Sequence, residues 1–253
     1  MGALTLCSIG TTHPWNIAGV GLDARVAQRL EARHVVVVAG VSAQGGGERT
    51  SAAVGPELIG AQIRTARDLA PDAYRIGALL DARSALAVAT ALEGVTAPVV
   101  CDPVVASSDG LVFADDATLE TLRKRLFPLC TLVTPNLAEA SRLCGFPVND
   151  RATMAGAAHT LVERDHARGA LVTGGHLEDE ASDVLYADGK TTTFEGTRLA
   201  GGMRGTGCAL AAATAIYLAR GENLVDAITA ARALVRDAIA NAATLNGERV
   251  WPY

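Results

Sequence analysis

The residues best equipped for chemistry fall in Gly201-Gly202-Met203-Arg204-Gly205-Thr206-Gly207-Cys208 and in three shorter clusters: Asp102-Pro103, Thr134-Pro135-Asn136 with Glu139, and Thr173-Gly174-Gly175-His176. The glycines of the first stretch exclude a regular strand or a helix interior. The run from Cys208 to Ala219 that follows is almost wholly apolar and rich in helix formers. A glycine loop feeding a helix is an anion site. Glycine lets the backbone approach a ligand closely, and the first helical N–H groups point outward with the helix dipole behind them. Cys208 sits at that positive end and is expected to ionise more easily than an ordinary thiol. The plainer reading is a tight turn into a core helix with the cysteine as a small hydrophobe, because short glycine motifs recur by chance.

Asp102, Asn136 and Glu139 add oxygen ligands of the kind Mg²⁺ takes, an ion that keeps several waters and binds few protein groups plus substrate phosphates. Asp102 and Glu139 are the candidate metal carboxylates. A glycine loop, magnesium and a group that handles the nucleophile together make the equipment of phosphoryl transfer. Structural readings stand beside each. Asp102 before Pro103 can cap a strand, Asn136 can belong to a turn, and Glu139 in a first helical turn complements the dipole. The only lysines are Lys124 and Lys190, neither in a glycine-rich motif, so phosphate charge has to be met by arginine, backbone N–H groups or a metal. His13, His34, His159 and His166 lack metal-ligand spacing and read as solvated or structural; His176 reads as a loop histidine.

Elements able to position these residues run the length of the chain. Strands are expected at Leu4–Ile9, His34–Gly40, Tyr74–Leu79, Ala97–Asp102, Thr131–Thr134 and Ala170–Thr173. A hairpin is expected from Val184–Ala187 and Thr191–Glu195 around Asp188-Gly189. Helices are expected at Gly21–Glu31, Pro56–Asp68, Ala82–Leu92, Asp115–Leu126, Leu137–Cys144, Met154–Asp165, Gly207–Ala219 and Leu224–Ala242. The strands at 34, 97, 131 and 170 are near-continuous apolar runs, the pattern of parallel strands covered on both faces. Strand–helix alternation argues a three-layer α/β fold with a doubly wound, mostly parallel sheet. With no linker and no repeat, one domain over 1–253 is expected. In such sheets ligands bind beyond the carboxyl ends of the strands, so Gly10–Gly21, Gly40–Gly47, Asp102–Gly110, Thr134–Glu139, Thr173–His176 and Gly201–Cys208 should meet at one edge.

Composition narrows the partners. Hydrophobic residues at 49% and charged residues at 19% of 253 leave room for a sizeable core. A net charge of −5 without a basic cluster argues against nucleic acid. The longest apolar run is too short to cross a bilayer, and the first residues lack a signal peptide's charged region, so no membrane partner is expected. Cys7, Cys101, Cys130, Cys144 and Cys208 are odd in number and form no CxxC pair, which argues against zinc or a disulfide framework and fits a reducing cytoplasm. A homodimer is among the assemblies the sequence leaves open, and the aromatic tail Gly247–Tyr253 is expected to dock on the body of the protein.

The chain resembles the hydroxymethylpyrimidine/phosphomethylpyrimidine kinase family of the ribokinase-like superfamily over nearly its whole length. The resemblance is carried by Ala43-Gln44, Ile76-Gly77-Ala78-Leu79, Asp102-Pro103-Val104-Val105-Ala106, Arg125-Leu126-Phe127-Pro128, Thr134-Pro135-Asn136-Leu137-Ala138-Glu139-Ala140, Gly174-Gly175-His176-Leu177 and Gly205-Thr206-Gly207-Cys208, in that order. It implies an enzyme that uses ATP and Mg²⁺ to phosphorylate the hydroxymethyl group of an aminopyrimidine and then the phosphate of that product, on the way to thiamine diphosphate. It implies an anion hole at Gly205-Thr206-Gly207, with Cys208 placed against the acceptor. Asn136 and Glu139, with Thr173 and Gly175, fall on the side of magnesium and nucleotide phosphate. Gln44 matches a pyrimidine-binding glutamine, whose amide offers one donor and one acceptor end. Ala18, Gly19, Asp23 and Val104 complete the expected substrate contacts.

The sequence also departs from the family. Gly10-Thr11-Thr12-His13-Pro14-Trp15-Asn16-Ile17 replaces a glycine-rich opening and brings bulky Trp15 into a substrate-contacting region. A family lysine is replaced in Ala106-Ser107-Ser108-Asp109-Gly110, another is Thr173, and a histidine before the anion hole is Arg204. Arg204 is expected to offset part of the lost charge by binding phosphate bidentately. These departures keep two alternatives open: a kinase of pyridoxal or another hydroxymethyl heteroaromatic, and a homologue that binds ligand but transfers weakly.

Overall fold

A computed structural model describes residues 3–107, 110–175, 181–199 and 201–252. Its centre is a nine-stranded sheet in the order β3-β2-β1-β4-β5-β6-β7-β8-β9. The strands are β1 (Thr5–Thr12), β2 (Arg33–Gly45), β3 (Glu48–Ala53), β4 (Ala73–Ile76), β5 (Val99–Cys101), β6 (Leu132–Val133), β7 (Gly169–Thr173), β8 (Asp183–Ala187) and β9 (Lys190–Phe194). Six of them, β2-β1-β4-β5-β6-β7, run parallel, and antiparallel β3 and the β8–β9 hairpin extend the two edges. The helices are α1 (Gly19–Arg29), α2 (Pro56–Arg67), α3 (Ala82–Leu92), α4 (Asp116–Thr121), α5 (Leu137–Cys144), α6 (Arg151–Glu163), α7 (Thr206–Ala219) and α8 (Leu224–Ala240). A short hairpin of β10 (Ala243–Leu245) and β11 (Glu248–Val250) follows.

The layers follow from the two-residue period of the strands. Cys7 and Ile9, Val99 and Cys101, Val133, and Ala170 and Val172 pack on one side with α2, α3, α5 and α6. Leu6, Val100, Leu132 and Leu171 face the other side with α1, α7 and α8. Helices on both faces of a mostly parallel sheet give the three-layer α/β fold that the alternation of elements predicts. Helix α7 is central: Ala209 through Ile216 are all buried, and its short alanine side chains let it lie close against β4 and β5.

Several expectations change. β2 is longer than His34–Gly40 and not sandwiched throughout, with Val36 42% and Val41 48% exposed. Its outer neighbour is the edge strand β3, an exposed segment with no apolar run, held by pairing of Gly40–Gly45 with Glu48–Ala53. The helix expected over Asp115–Leu126 is α4 only as far as Thr121; a π turn at Leu122–Leu126 and a 3₁₀ turn at Phe127–Leu129 follow. Pro128 cannot donate to a continuing helical ladder. The tail docks as expected through Trp251, 3% exposed within the α7–α8 layer; Tyr253 lies outside the described residues. The hairpin turn at Asp188 (φ 51°) and Gly189 (φ 72°) has the left-handed pair that a two-residue loop requires.

Candidate active site

The parallel strands deliver their following loops to one edge, where two cavities adjoin. The smaller, about 270 Å³, is bounded by the loop after β1 (Thr11, Thr12, His13, Ala18, Gly19), by Ser42 and Gln44 on β2, by Asp102 and Val104, by Asn136 and Glu139, and by Arg204 through Cys208. The larger, about 800 Å³, lies beyond Thr173 and Gly175, with Asp183, Arg198, Arg232 and Arg236 around it and Leu210, Val235 and Ile239 supplying apolar wall. Asn136, Met203, Thr206 and Gly207 belong to both. The cavities therefore meet where α7 begins.

That N-terminus is built as the glycine pattern predicts. Gly205 is the cap residue in the left-handed conformation (φ 80°), and its carbonyl accepts from Ala209 N–H at 2.9 Å. A β-carbon at Gly205 would collide with Leu22 and the Ile17 carbonyl, so only glycine brings the loop this close to α1. At Gly207 a β-carbon would meet only the Asp102 carboxylate, at 3.9 Å, and would otherwise stand in open space.

Beneath the loop lies a buried ionic cluster. Arg75 on β4 is fully buried, with Nη1 3.2 Å from Asp23 Oδ2 and Nη2 2.6 Å from Asp102 Oδ2. Its guanidinium lies over Gly77, where any side chain would strike it. Asp23, expected to touch substrate, is instead fully buried in α1 as Arg75's second partner; burial lifts its carboxyl to about 6 although Arg75 opposes the shift. Burial also raises Asp102, with Arg75 and a hydrogen bond to Cys208 pulling the other way. Burial works against the expected acidity of Cys208. Burial pushes the thiol up to about 12, with Asp102 and Asp23 adding to it, against Arg75 and the Gly19 N–H. Desolvation and two carboxylates oppose the helix dipole here.

Asn136 and Glu139 form a reciprocal capping box at the start of α5. Asn136 Oδ1 accepts from Glu139 N–H at 3.0 Å, and Glu139 Oε2 from Asn136 N–H at 2.9 Å. Glu139 Oε1 accepts from Val105 N–H at 3.3 Å, so one carboxylate ties the loop after β5 to the loop after β6. Burial first and the nearby Asp102 second raise Glu139 to about 8. Asp102 and Glu139, two buried carboxylates that disfavour each other's charge, offer hard oxygen donors of the kind that suits a divalent cation. Among the described residues no group of three or more His, Cys, Asp or Glu gathers as a metal cage.

On the far side of the smaller cavity Gln44 is buried and its amide is oriented. Nε2 donates to Ser42 Oγ at 3.0 Å, Ser42 Oγ donates to the Thr12 carbonyl at 2.7 Å, and Oε1 accepts from Arg204 Nη2 at 3.4 Å. Arg204 thus stands on the acceptor side, and its N–H donates to the Arg249 carbonyl of the C-terminal hairpin at 2.9 Å. Trp15 packs on Gly45, where a β-carbon would lie 2.7 Å from the ring. His13, read as solvated or structural, is 3% exposed and lines the cavity, its Nδ1 accepting from Trp15 N–H. His176, Leu177, Ser108 and Asp109 lie outside the described residues.

Sequence reasoning missed Arg75 on the smaller cavity and Asp183, Arg198, Arg232 and Arg236 on the larger, and it placed Thr11, Thr12 and Ser42 only within loops expected at this edge. Arg75 had a readable signal: a charge inside the apolar strand Ala73-Tyr74-Arg75-Ile76 needs a buried partner.

Residues 15–252 match the family model described as phosphomethylpyrimidine kinase. The hydroxymethylpyrimidine/phosphomethylpyrimidine kinase of Streptomyces coelicolor is 34% identical over 91% of this chain and 86% of its own. That of Rhizobium meliloti is 33% identical over 96% and 92%. Among solved structures, the pyridoxal kinase from Staphylococcus aureus in complex with pyridoxal superposes with a TM-score of 0.90 at 25% identity, covering 100% of this chain and 94% of its own. The phosphomethylpyrimidine kinase from Clostridium difficile superposes at 0.82 and 23% identity, over 93% and 99%. Matched along nearly its whole length, the chain belongs to the phosphomethylpyrimidine kinase family, a family of phosphotransferases.

Proposed function

We propose that this chain transfers the γ-phosphoryl group of ATP to 4-amino-5-hydroxymethyl-2-methylpyrimidine, to the phosphate of that compound, or to both in turn, as a single kinase domain in thiamine biosynthesis. One observation carries the reading: a larger arginine-bordered cavity and a smaller amide-bordered one share the N-terminus of α7. ATP takes the first and the pyrimidine the second, so the transferring group crosses at Gly205–Cys208. The catalytic names of its relatives and the family model support the same chemistry. The five cysteines held as free thiols support a reducing, cytoplasmic setting.

Each residue then has a physical task. The outward N–H groups at the start of α7 meet the charge that develops on the phosphoryl oxygens. Gln44 offers its carbonyl oxygen to the aminopyrimidine edge, held in that orientation by Ser42 through the Thr12 carbonyl. A Cys208 thiol that holds its proton to about 12 orients the acceptor oxygen rather than abstracting its hydrogen. Phosphoryl transfer through a loose transition state asks more for position than for a strong base. Asp102 and Glu139 would hold Mg²⁺, which when bound neutralises phosphate charge.

The test is ADP release with ATP and a panel of acceptors. Turnover on the hydroxymethylpyrimidine or its phosphate is expected. Turnover on pyridoxal alone would favour the second reading, a pyridoxal-type kinase, which the close superposition on the Staphylococcus aureus enzyme supports. Tight pyrimidine binding without turnover at any Mg²⁺ concentration would mark a binding protein instead.

A further inference from the structure

We propose that Arg204 sets the acceptor preference of this site, favouring a pyrimidine that carries a phosphomonoester over the neutral hydroxymethyl compound. The proposal rests on the kinase reading above. Among the described residues four charged side chains border the smaller cavity: Arg75, Arg204, Asp102 and Glu139. Arg75 is committed to two buried carboxylates. Arg204 is not committed in this way. Its Nη2 lies 3.4 Å from the neutral Gln44 amide, and its Nη1 lies 3.9 Å from Glu248, a carboxylate 43% exposed to solvent. The Arg204 side chain itself is only 17% exposed, so it has given up most of its water for two long contacts. A desolvated guanidinium without a close anion is a strong draw for one, and a phosphate dianion fits its fork bidentately.

Position makes the draw selective. Arg204 directly precedes Gly205, so its backbone adjoins the N–H groups that open α7 while its fork reaches across the same cavity to Gln44. Its other neighbour is Gln44, so the ring edge and the phosphate of one ligand fall to adjacent side chains. The neutral alcohol gives the guanidinium little that the Gln44 oxygen does not already supply. No lysine duplicates the role. Lys124 pairs with Glu120 on the surface, and Lys190 opens β9 at the far edge of the sheet. The backbone can hold still while the guanidinium changes partner, because Arg204 N–H is fixed to the Arg249 carbonyl.

The experiment is equilibrium binding, without nucleotide, of 4-amino-5-hydroxymethyl-2-methylpyrimidine and of its phosphate to the wild-type protein, Arg204→Ala and Arg204→Lys. The wild type should bind the phosphate more tightly. Arg204→Ala should weaken phosphate binding about 10- to 100-fold, the worth of a charge-assisted pair, while alcohol binding changes less than about threefold. Arg204→Lys should recover part of the loss. Retained alcohol binding shows that the loop has kept its shape. Equal weakening of both ligands, or of neither, overturns the proposal and leaves the kinase reading standing. Failure of the wild type to bind either ligand removes the kinase reading, and this proposal with it.

Discussion

Arg75 Nη2 lies 2.6 Å from Asp102 Oδ2, and the opposite prong of the same guanidinium reaches Asp23 Oδ2 at 3.2 Å. One fully buried cation on β4 thus ties α1 to the loop after β5, with Asp102 5% exposed at the cavity floor. It also holds the carboxylate that faces Gly207 across the cavity, so the ionic centre of the fold and the floor of the site are one structure.

Removing the cation leaves two buried carboxylates without their partner. Arg75→Met is expected to cost about 3–5 kcal/mol of stability, read as a shift in the urea midpoint. Arg75→Lys keeps the charge but not the two-pronged geometry and should lie between the two. An unchanged midpoint for Arg75→Met would mean that water reaches Asp23 and Asp102 freely.

Cys208 supplies a second prediction. A thiol pushed up to about 12 is almost wholly protonated at pH 8, so iodoacetamide should alkylate Cys208 far more slowly than a free thiol, despite its place at a helix N-terminus. Cys208→Ala should lower turnover roughly 10²-fold by loosening the acceptor, while ATP affinity measured by titration stays near the wild-type value. Rapid alkylation at neutral pH would restore the ionised cysteine that the sequence alone suggests.

That contrast shows where the sequence was legible. Helix α5 over Leu137–Cys144 and the meeting of strand-end loops at one edge follow from apolar periodicity and cap chemistry, which are local. The acidity of Cys208 is not local. It depends on Asp102, 106 positions before it in the chain, and on Asp23, farther still, and only the fold brings these together. Asp23 illustrates the same limit, because its matching position said that it matters but not that it faces Arg75 instead of ligand. Strand β3 was invisible for a related reason: Glu48–Ala53 has no strand pattern of its own and is held by the neighbour it pairs with.

His34 gives the pH prediction. Burial lowers its imidazole to about 4, and Nε2 sits 3.0 Å from Ser8 Oγ. The unfolded chain protonates near 6.5, so between about 6.5 and about 4 the unfolded state binds more protons than the folded one. The stability that His34 contributes is therefore full above about pH 6.5 and falls as pH drops through that window. With the ring partly in contact with solvent, the loss attributable to His34 should be about 1–2 kcal/mol. Asp23 and Glu139, whose carboxyls are raised in the fold, gain stability over the same fall in pH, so His34 is read by difference: from pH 7 to pH 5 the wild type should lose more, or gain less, stability in denaturant unfolding than His34→Gln.

The two glycines that begin α7 should separate fold from chemistry. Gly205 has φ 80°, and a β-carbon there meets Leu22 and the Ile17 carbonyl, so Gly205→Ala strains the backbone and collides with α1. It should lose about 2–3 kcal/mol of stability and most activity together. Gly207 lies inside the helix, and a β-carbon there meets nothing nearer than the Asp102 carboxylate at 3.9 Å. Gly207→Ala should keep or slightly raise stability, by up to about 1 kcal/mol, because alanine is the better helix former. Its methyl group projects where both cavities meet, so kcat/KM should fall at least about tenfold through the phosphoryl group it displaces. Thermal unfolding and ADP release measured on both variants give a two-by-two result. Full activity in Gly207→Ala would mean that phosphate does not pass across the start of α7.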